Sequence, residues 1–350
     1  MTIQTAQPMK GTLLGEVKTF LSANSLSYEG DPSFTCLLRD DSDRIIGTGS
    51  LEGNVLKYIA IEKNHQGEGL LSQLMTSLVT QAFFEGYTHL FIFTKPKNKA
   101  LFSPFGFFPI EETEQVLLME NRKDGILQYI NSLERETEEL VRGRGLSKIG
   151  DIGVIVVNCN PFTKGHRYLI AYAAQKCALL HVFVVSSDKS VFPSSVRFDL
   201  VKKGTEDLSN VLVHEASDYL VSSATFPSYF LKETNKAGFV NCQLDIGIFL
   251  HYIVPALGIT RRFVGTEPLC RTTEAYNRQM ELMLGAKGVG FEEVARKQES
   301  EVPISASLVR RLMAQKRFED IKPLVPETTY DFIMSQQGQA IADQLKMERV

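Results

Sequence analysis

The stretch Asn158-Cys159-Asn160-Pro161-Phe162-Thr163-Lys164-Gly165-His166 decides how the chain reads. Before it runs Asp151-Ile152-Gly153-Val154-Ile155-Val156-Val157, mostly apolar and β-branched, the pattern of a buried parallel strand. After it, Leu169, Ile170, Ala173, Ala174 and Cys177 recur at helical spacing between Arg167 and Ala178. A strand therefore ends in a turn holding Pro and Gly, and a helix opens with His166 in its first turn. A helix N-terminus offers unpaired N–H groups and the positive end of its dipole. In an open α/β sheet such a turn aims them at a phosphate.

A second stretch far downstream has the same logic: Pro303-Ile304-Ser305-Ala306-Ser307-Leu308-Val309-Arg310-Arg311. Ser305 is placed to cap a helix, and Arg310 lies one turn beyond Ser307 on nearly the same face. A guanidinium fixed there could neutralise phosphate charge. Thr163-Lys164-Gly165-His166 resembles the [H/T]-x-G-H motif of the nucleotidyltransferase superfamily. Ile304 to Arg310 resembles its partner, I-S-[ST]-x-x-[LIV]-[RK], with Ala306-Ser307 as a variant. The resemblance implies an adenylylating domain on a doubly wound parallel sheet.

Composition narrows the setting. The chain has 350 residues, enough for two domains with cores. With 43% apolar and 23% charged residues it reads as a soluble globular protein. A net charge of −3 argues against a nucleic-acid binder held by a basic face. The cysteines Cys36, Cys159, Cys177, Cys242 and Cys270 are dispersed without C-x-x-C spacing, which suggests free thiols in a reducing cytoplasm and no zinc or other metal site. Met1 to Lys10 is polar and lacks the apolar core of a signal sequence, and the apolar run Ile246 to Leu257 is too short to span a bilayer. The expected location is the cytoplasm, without a membrane partner.

The first 120 or so residues follow a different plan. A helix is expected over Leu13 to Leu26. Strands are expected at Pro32 to Arg39, Arg44 to Leu51, Val55 to Ile61 and His89 to Thr94, with a long helix over Leu70 to Gly86. This order resembles the GNAT acetyltransferase fold, an α+β arrangement whose turn [QR]-x-x-G-x-[GA] wraps the pyrophosphate of coenzyme A. Gln66, Gly67 and Gly69 fit that turn, but Leu71 stands where Gly or Ala is usual. Glu62, His65 and Glu68 lie nearby and read as solvated turn residues. A helix over Asn121 to Arg142 follows, so the expected division is a GNAT-like domain at 1–122, a helical linker at 123–148 and a nucleotidyltransferase domain at 149–350 with helices at its end.

In the second half, strands are expected at Leu179 to Ser186, Val211 to His214 and Arg262 to Val264, and helices at Ser194 to Asp207 (carrying Arg197) and Asp245 to Ala256. The runs SSATFPSYFLK (Ser222 to Lys232), RFVGTEPLCRTTEAYN (Arg262 to Asn277) and CNPFTKGHRYLI (Cys159 to Ile170) resemble the citrate lyase ligase family. That family joins a GNAT-like domain to a nucleotidyltransferase domain, and the resemblance spans nearly the whole chain.

The resemblance implies an acid–thiol ligase. ATP and acetate would give acetyl-AMP and pyrophosphate. The acetyl group would then pass to the thiol of the phosphoribosyl-dephospho-CoA group on the citrate lyase acyl carrier subunit. His166, Thr163 and Arg310 would be catalytic. Asn160, Pro161, Phe162, Lys164, Gly165, Gly265, Glu267, Ile304, Ser305 and Ser307 would bind ATP, with Mg²⁺ carried on its oxygens. Ser222, Ser223, Thr225 and Phe226 would line an acetate pocket. The GNAT-like turn at Gln66, Gly67 and Gly69 would meet the carrier's pantetheine arm. The two motifs alone also fit an adenylyltransferase that makes a dinucleotide from pantetheine phosphate or nicotinamide mononucleotide. A nucleotide-binding module beside a working acetyltransferase is a further alternative.

Overall fold

The computed structural model describes residues 1–28, 30–186, 190–222, 236–266, 271–296, 298–299 and 302–347. The chain forms two compact units. One is Met1–Leu127 with Ser223–Leu244, the other Gln128–Ser222 with Asp245–Val350.

In the first unit, β1 (Thr2–Ala6) and α1 (Gly11–Ala23) precede the meander β2 (Phe34–Arg39), β3 (Ile45–Glu52) and β4 (Val55–Ile61). Helix α2 (Leu70–Phe84), β5 (Phe91–Thr94), the short α3 (Lys99–Phe102), β6 (Phe108–Glu112) and β7 (Leu117–Glu120) complete it. The sheet runs in the order β1-β2-β3-β4-β5-β7-β6. Its one parallel junction, β4 with β5, pairs only Val55 with Phe91 and Leu56 with Ile92. Leu70, Leu74, Met75, Leu78 and Ala82 of α2 are buried on the sheet. The helix lies so close that a Cβ on Gly49 would come within 2.7 Å of the Leu78 side chain, which is why that strand position has none. The polar lead-in Met1 to Lys10 contains an edge strand, β1. Four of its five residues are exposed, so it carries no apolar alternation to betray it.

Helix α4 (Gly125–Arg144) leads into the second unit. Arg144 Nη1 donates to Val211 O at 2.7 Å, and Glu136 reaches the buried His214 at 3.5 Å. The strands and helices then alternate: β8 (Ile152–Val157), α5 (Lys164–Ala174), β9 (Leu179–Val184), α6 (Ser194–Lys203), β10 (Val211–Glu215) and α7 (Lys236–Ile248). After a π turn at Phe249–Ile253 come α8 (Val254–Leu257), β11 (Arg261–Gly265), α9 (Arg271–Ala286) and β12 (Gly290–Val294). The end of the chain holds the small strands β13 (Gln298–Glu299) and β14 (Val302–Pro303), then α10 (Ala306–Ala314), α11 (Glu327–Met334) and α12 (Gln336–Met347). The sheet order is β10-β9-β8-β11-β12, parallel throughout. This is the expected doubly wound class, with β8 at its centre.

Two sequence expectations need correction. The helix placed at Asp245–Ala256 begins earlier, at Lys236, and is broken by the π turn. The helix placed at Ser194–Asp207 stops at Lys203, because Gly204 ends it directly against Phe162: a Cβ there would lie 2.5 Å from the ring. Strand β12 is not visible in the sequence, since Glu292 and Glu293 sit at its middle. Lys176 and Arg261 pair with Glu292 at 2.5 and 3.3 Å and make that charge tolerable on an edge strand.

Candidate active site

The carboxyl end of β8 carries the decisive stretch. Cys159 is buried in the left-handed region at φ +49°, a conformation a non-glycine residue holds only when its surroundings impose it. Arg197 is among the residues that impose it. Its side chain is fully buried, and its guanidinium donates to Asn158 O at 2.9 Å, Asn158 Oδ1 at 2.8 Å, Phe192 O at 3.0 Å and Val185 O. One side chain thus ties the ends of β8 and β9 to the start of α6. The sequence shows Arg197 only as a charge among the apolar positions Val196, Leu200 and Val201. That mismatch was the signal available.

The next turn is held as firmly. Asn160 Oδ1 accepts from Phe192 N at 3.0 Å, and Phe162 is fully buried. Both were expected among the ATP contacts; the structure makes Phe162 an anchor with no surface to offer. Thr163 caps α5. His166 N donates to Thr163 Oγ1 at 3.3 Å, while Thr163 N donates to His166 Nδ1 at 3.1 Å. Thr163 Oγ1 also lies 2.9 Å from Nδ1. Because Nδ1 accepts from the backbone N–H, it carries no proton, the hydroxyl donates to it too, and the neutral ring has its proton on Nε2. Burial first, and then the charge of Arg296, pushes His166 down to about 4. The site thus keeps a neutral imidazole with Nε2–H free of the cap. Thr163 is only 1% exposed, so it orients His166 and has little surface for a phosphate.

The second stretch comes to the same place. Gly165 lies against Ile304, where a Cβ would stand 3.2 Å from the carbonyl oxygen, a tight approach that brings the two motifs together. Ser305 caps α10, its Oγ accepting from Leu308 N at 3.1 Å, as its position predicts. Arg310 donates through Nη2 to Ser307 Oγ at 3.2 Å and through Nη1 to Asn160 O. Burial pulls its pKa below the ordinary arginine range, though a guanidinium stays protonated in proteins. Two helix N-termini, an oriented Nε2–H and a bridging guanidinium therefore converge, a set suited to a polyphosphate. Ile304 is buried; Lys164 is partly exposed in the first turn of α5.

Arg296 was missed by sequence reasoning. It follows β12, the strand that the sequence hides, and its Nε donates to Thr266 O at 2.7 Å beside Gly265. Of the expected acetate residues, Ser222 is buried and spends its hydroxyl on Asp218 O. Ser223, Thr225 and Phe226 lie outside the described residues, as does Glu267. In the first unit, Gln66, Gly67 and Gly69 are exposed; Gln66 Nε2 donates to Ile61 O at 3.3 Å, and His65 lies between Glu62 at 3.8 Å and Glu68 at 3.2 Å.

Two family models and three curated relatives match the chain. Residues 152–333 match the family described as citrate lyase ligase C-terminal domain, and residues 12–107 match the acetyltransferase (GNAT) family. The [citrate [pro-3S]-lyase] ligase of Klebsiella pneumoniae is 42% identical over 91% of this chain and 92% of its own. The same-named protein of Escherichia coli K12 is 41% identical over 92% and 90%, and that of Haemophilus influenzae 39% identical over 91% and 95%. No helix among the described residues is long and apolar enough to cross a membrane. A GNAT family match in the first unit and 39–42% identity over nine-tenths of the chain to three ligases lead to one conclusion: the chain belongs to the citrate lyase ligase family.

Proposed function

We propose that the protein activates acetate with ATP and transfers the acetyl group to the thiol of the phosphoribosyl-dephospho-CoA group on the citrate lyase acyl carrier subunit. An acetate oxygen attacks the α-phosphorus, the bond from that phosphorus to the bridging oxygen breaks, and pyrophosphate leaves. The carrier's sulfur then attacks the acetyl carbon, loses its proton and displaces AMP. The observation that carries the reading is the meeting of the capped α5 and α10 N-termini around His166 and Arg310.

Acetate is ionised at neutral pH, so the first step needs no general base. Positioning and electrostatics carry the catalysis. His166, held neutral, donates Nε2–H to an α-phosphate oxygen as charge builds there. Arg310, Ser307 and the amides after Ser305 and Thr163 take the β- and γ-phosphates. Gly165 and Gly265 let the nucleotide approach the backbone. Mg²⁺ would arrive on the phosphate oxygens of ATP, keeping most of its ligands as phosphate and water.

Product analysis tests the proposal. The purified protein with ATP, acetate and the thiol form of the carrier should yield AMP, pyrophosphate and a hydroxylamine-labile thioester in equal amounts. A stable dinucleotide formed from ATP and pantetheine phosphate or nicotinamide mononucleotide would move the protein to the adenylyltransferases.

A further inference from the structure

Ligands of an open α/β sheet gather outside the carboxyl ends of its strands, at the point where the strand order reverses. In the second unit that point lies between β8 and β11, with β9 and β10 on one side and β12 on the other. The β8 side carries Asn160, Thr163 and His166. The β11 side ends in Gly265 and Thr266. A Cβ on Gly265 would stand 4.0 Å from Leu169, which is one turn along α5 from His166, so the end of β11 lies beside the helix that His166 opens. Thr266 is in turn fastened to β12, its N–H donating to Val294 O at 3.0 Å.

Arg296 closes this corner. It stands just past β12, and two bonds fold it back onto the end of β11: its backbone N–H donates to Thr266 Oγ1 at 3.3 Å and its Nε to Thr266 O at 2.7 Å. The side chain is half-buried, and burial pulls its pKa below the ordinary arginine range, though the guanidinium stays charged. That charge is felt at His166, where burial is the first cause of the low value and Arg296 the second. Arg310 is held elsewhere, by Ser307 of α10 and by the carbonyl of Asn160. Two guanidiniums thus reach the phosphate site from different elements, and the one anchored on β11 shares its surroundings with the Nε2–H donor of His166.

The proposed reaction gives two such cations different work. The β- and γ-phosphates depart in the first step. The α-phosphate stays, as the mixed anhydride of acetyl-AMP, and becomes the leaving group of the second. There the carrier sulfur bonds to the acetyl carbon, the bond from that carbon to the phosphate oxygen breaks, and the thiol proton passes to water. The phosphate of AMP gains one negative charge. We propose that Arg296 is the cation for the α-phosphate, holding it beside His166 in the first step and offsetting its new charge in the second, while Arg310 serves the departing pyrophosphate. The inference rests on the proposed reaction and adds a substrate-binding residue that neither sequence motif contains.

The test isolates the second step by supplying synthetic acetyl-AMP and the thiol form of the carrier, without ATP, and following AMP release. Arg296→Gln should raise the KM for acetyl-AMP about tenfold or more, and about fivefold more than Arg310→Gln does; Arg296→Lys should recover part of the loss. Arg296→Gln should also move the acid limb of kcat/KM for AMP formation from ATP to higher pH, because a charge that opposes protonation of His166 is gone. Arg296→Lys keeps the charge and should leave that limb in place, a distinction that lost packing alone would not make. If Arg296→Gln fails to fold, Arg296→Lys decides: a KM for acetyl-AMP raised about twofold or more supports the assignment, and a smaller change overturns it. Arg296→Gln with a KM for acetyl-AMP changed by less than about twofold, or by no more than in Arg310→Gln, would likewise overturn it. Failure of the unaltered protein to pass the acetyl group from acetyl-AMP to the carrier would overturn the reaction and the role of Arg296 with it.

Discussion

Each unit has a glycine-containing turn that feeds a helix, and the two turns look alike on paper. In the first unit, Gln66-Gly67-Glu68-Gly69 opens α2; in the second, Thr163-Lys164-Gly165-His166 opens α5. The first turn is exposed, its helix is capped by Gly69 at φ +76° with no side chain, and its nearest ionisable groups are Glu62, His65 and Glu68. The second has a reciprocal cap, a histidine held in one tautomer, a second capped helix in contact at Gly165 and an arginine bridging back to Asn160. Both offer backbone amides. What separates them is the set of oriented polar side chains that the rest of the fold fixes around one of them. A helix N-terminus attracts an anion, but directing chemistry at one phosphorus takes donors whose positions are set beforehand.

The contrast predicts effects of very different size. His166→Ala removes the Nε2–H donor and should lower the rate of AMP formation by ~10²–10³, the usual worth of one preorganised donor. Circular dichroism melting should show a far smaller change. Arg197→Lys comes next. A lysine cannot serve Asn158, Phe192 and Val185 together, so urea unfolding should show a loss of ~2–4 kcal/mol. Its rate should fall with little change in the KM for ATP.

Thr163→Val is smaller and more specific. It removes the cap, about 1 kcal/mol of stability, and one of the two donors to Nδ1. Those donors oppose a proton on Nδ1, so their loss raises the pKa of His166. In the unaltered protein that group sits at about 4. Its neutral form then persists as pH falls through the ordinary histidine range, and its acid limb in kcat/KM should appear only near pH 4. The variant should move that limb to higher pH. Linkage has the same sign: the unfolded chain binds a proton near pH 6.5, so His166 contributes stability above that pH that is lost as pH falls towards 4. The smallest effect belongs to the first turn. Gly69→Ala should change pyrophosphate exchange by less than about twofold, because it costs only the strain of an alanine at positive φ. If that turn meets the pantetheine arm, the KM for the carrier will rise instead.

The sequence made the second unit legible because its signals are local. A β-branched run, a Pro- and Gly-containing turn and a helical repeat sit side by side, and Ser305 and Arg310 keep their spacing within one helix. What stayed hidden depends on contacts between distant residues. Arg197 is legible only as a misplaced charge until Asn158, Val185 and Phe192 are seen around it. Arg296 follows a strand whose central glutamates disguise it. The tautomer of His166 is set by a cap whose geometry no motif records. Arg262 reads as an ordinary strand arginine, and only the fold shows it buried against the Phe249 ring.

The most direct test of the whole account is pyrophosphate exchange into ATP by the purified protein, with and without acetate and with no carrier present. The account predicts exchange that requires acetate, is trapped as a hydroxamate by hydroxylamine, and disappears in both His166→Ala and Arg310→Ala. Exchange that proceeds equally without acetate, or that survives in both variants, would contradict it.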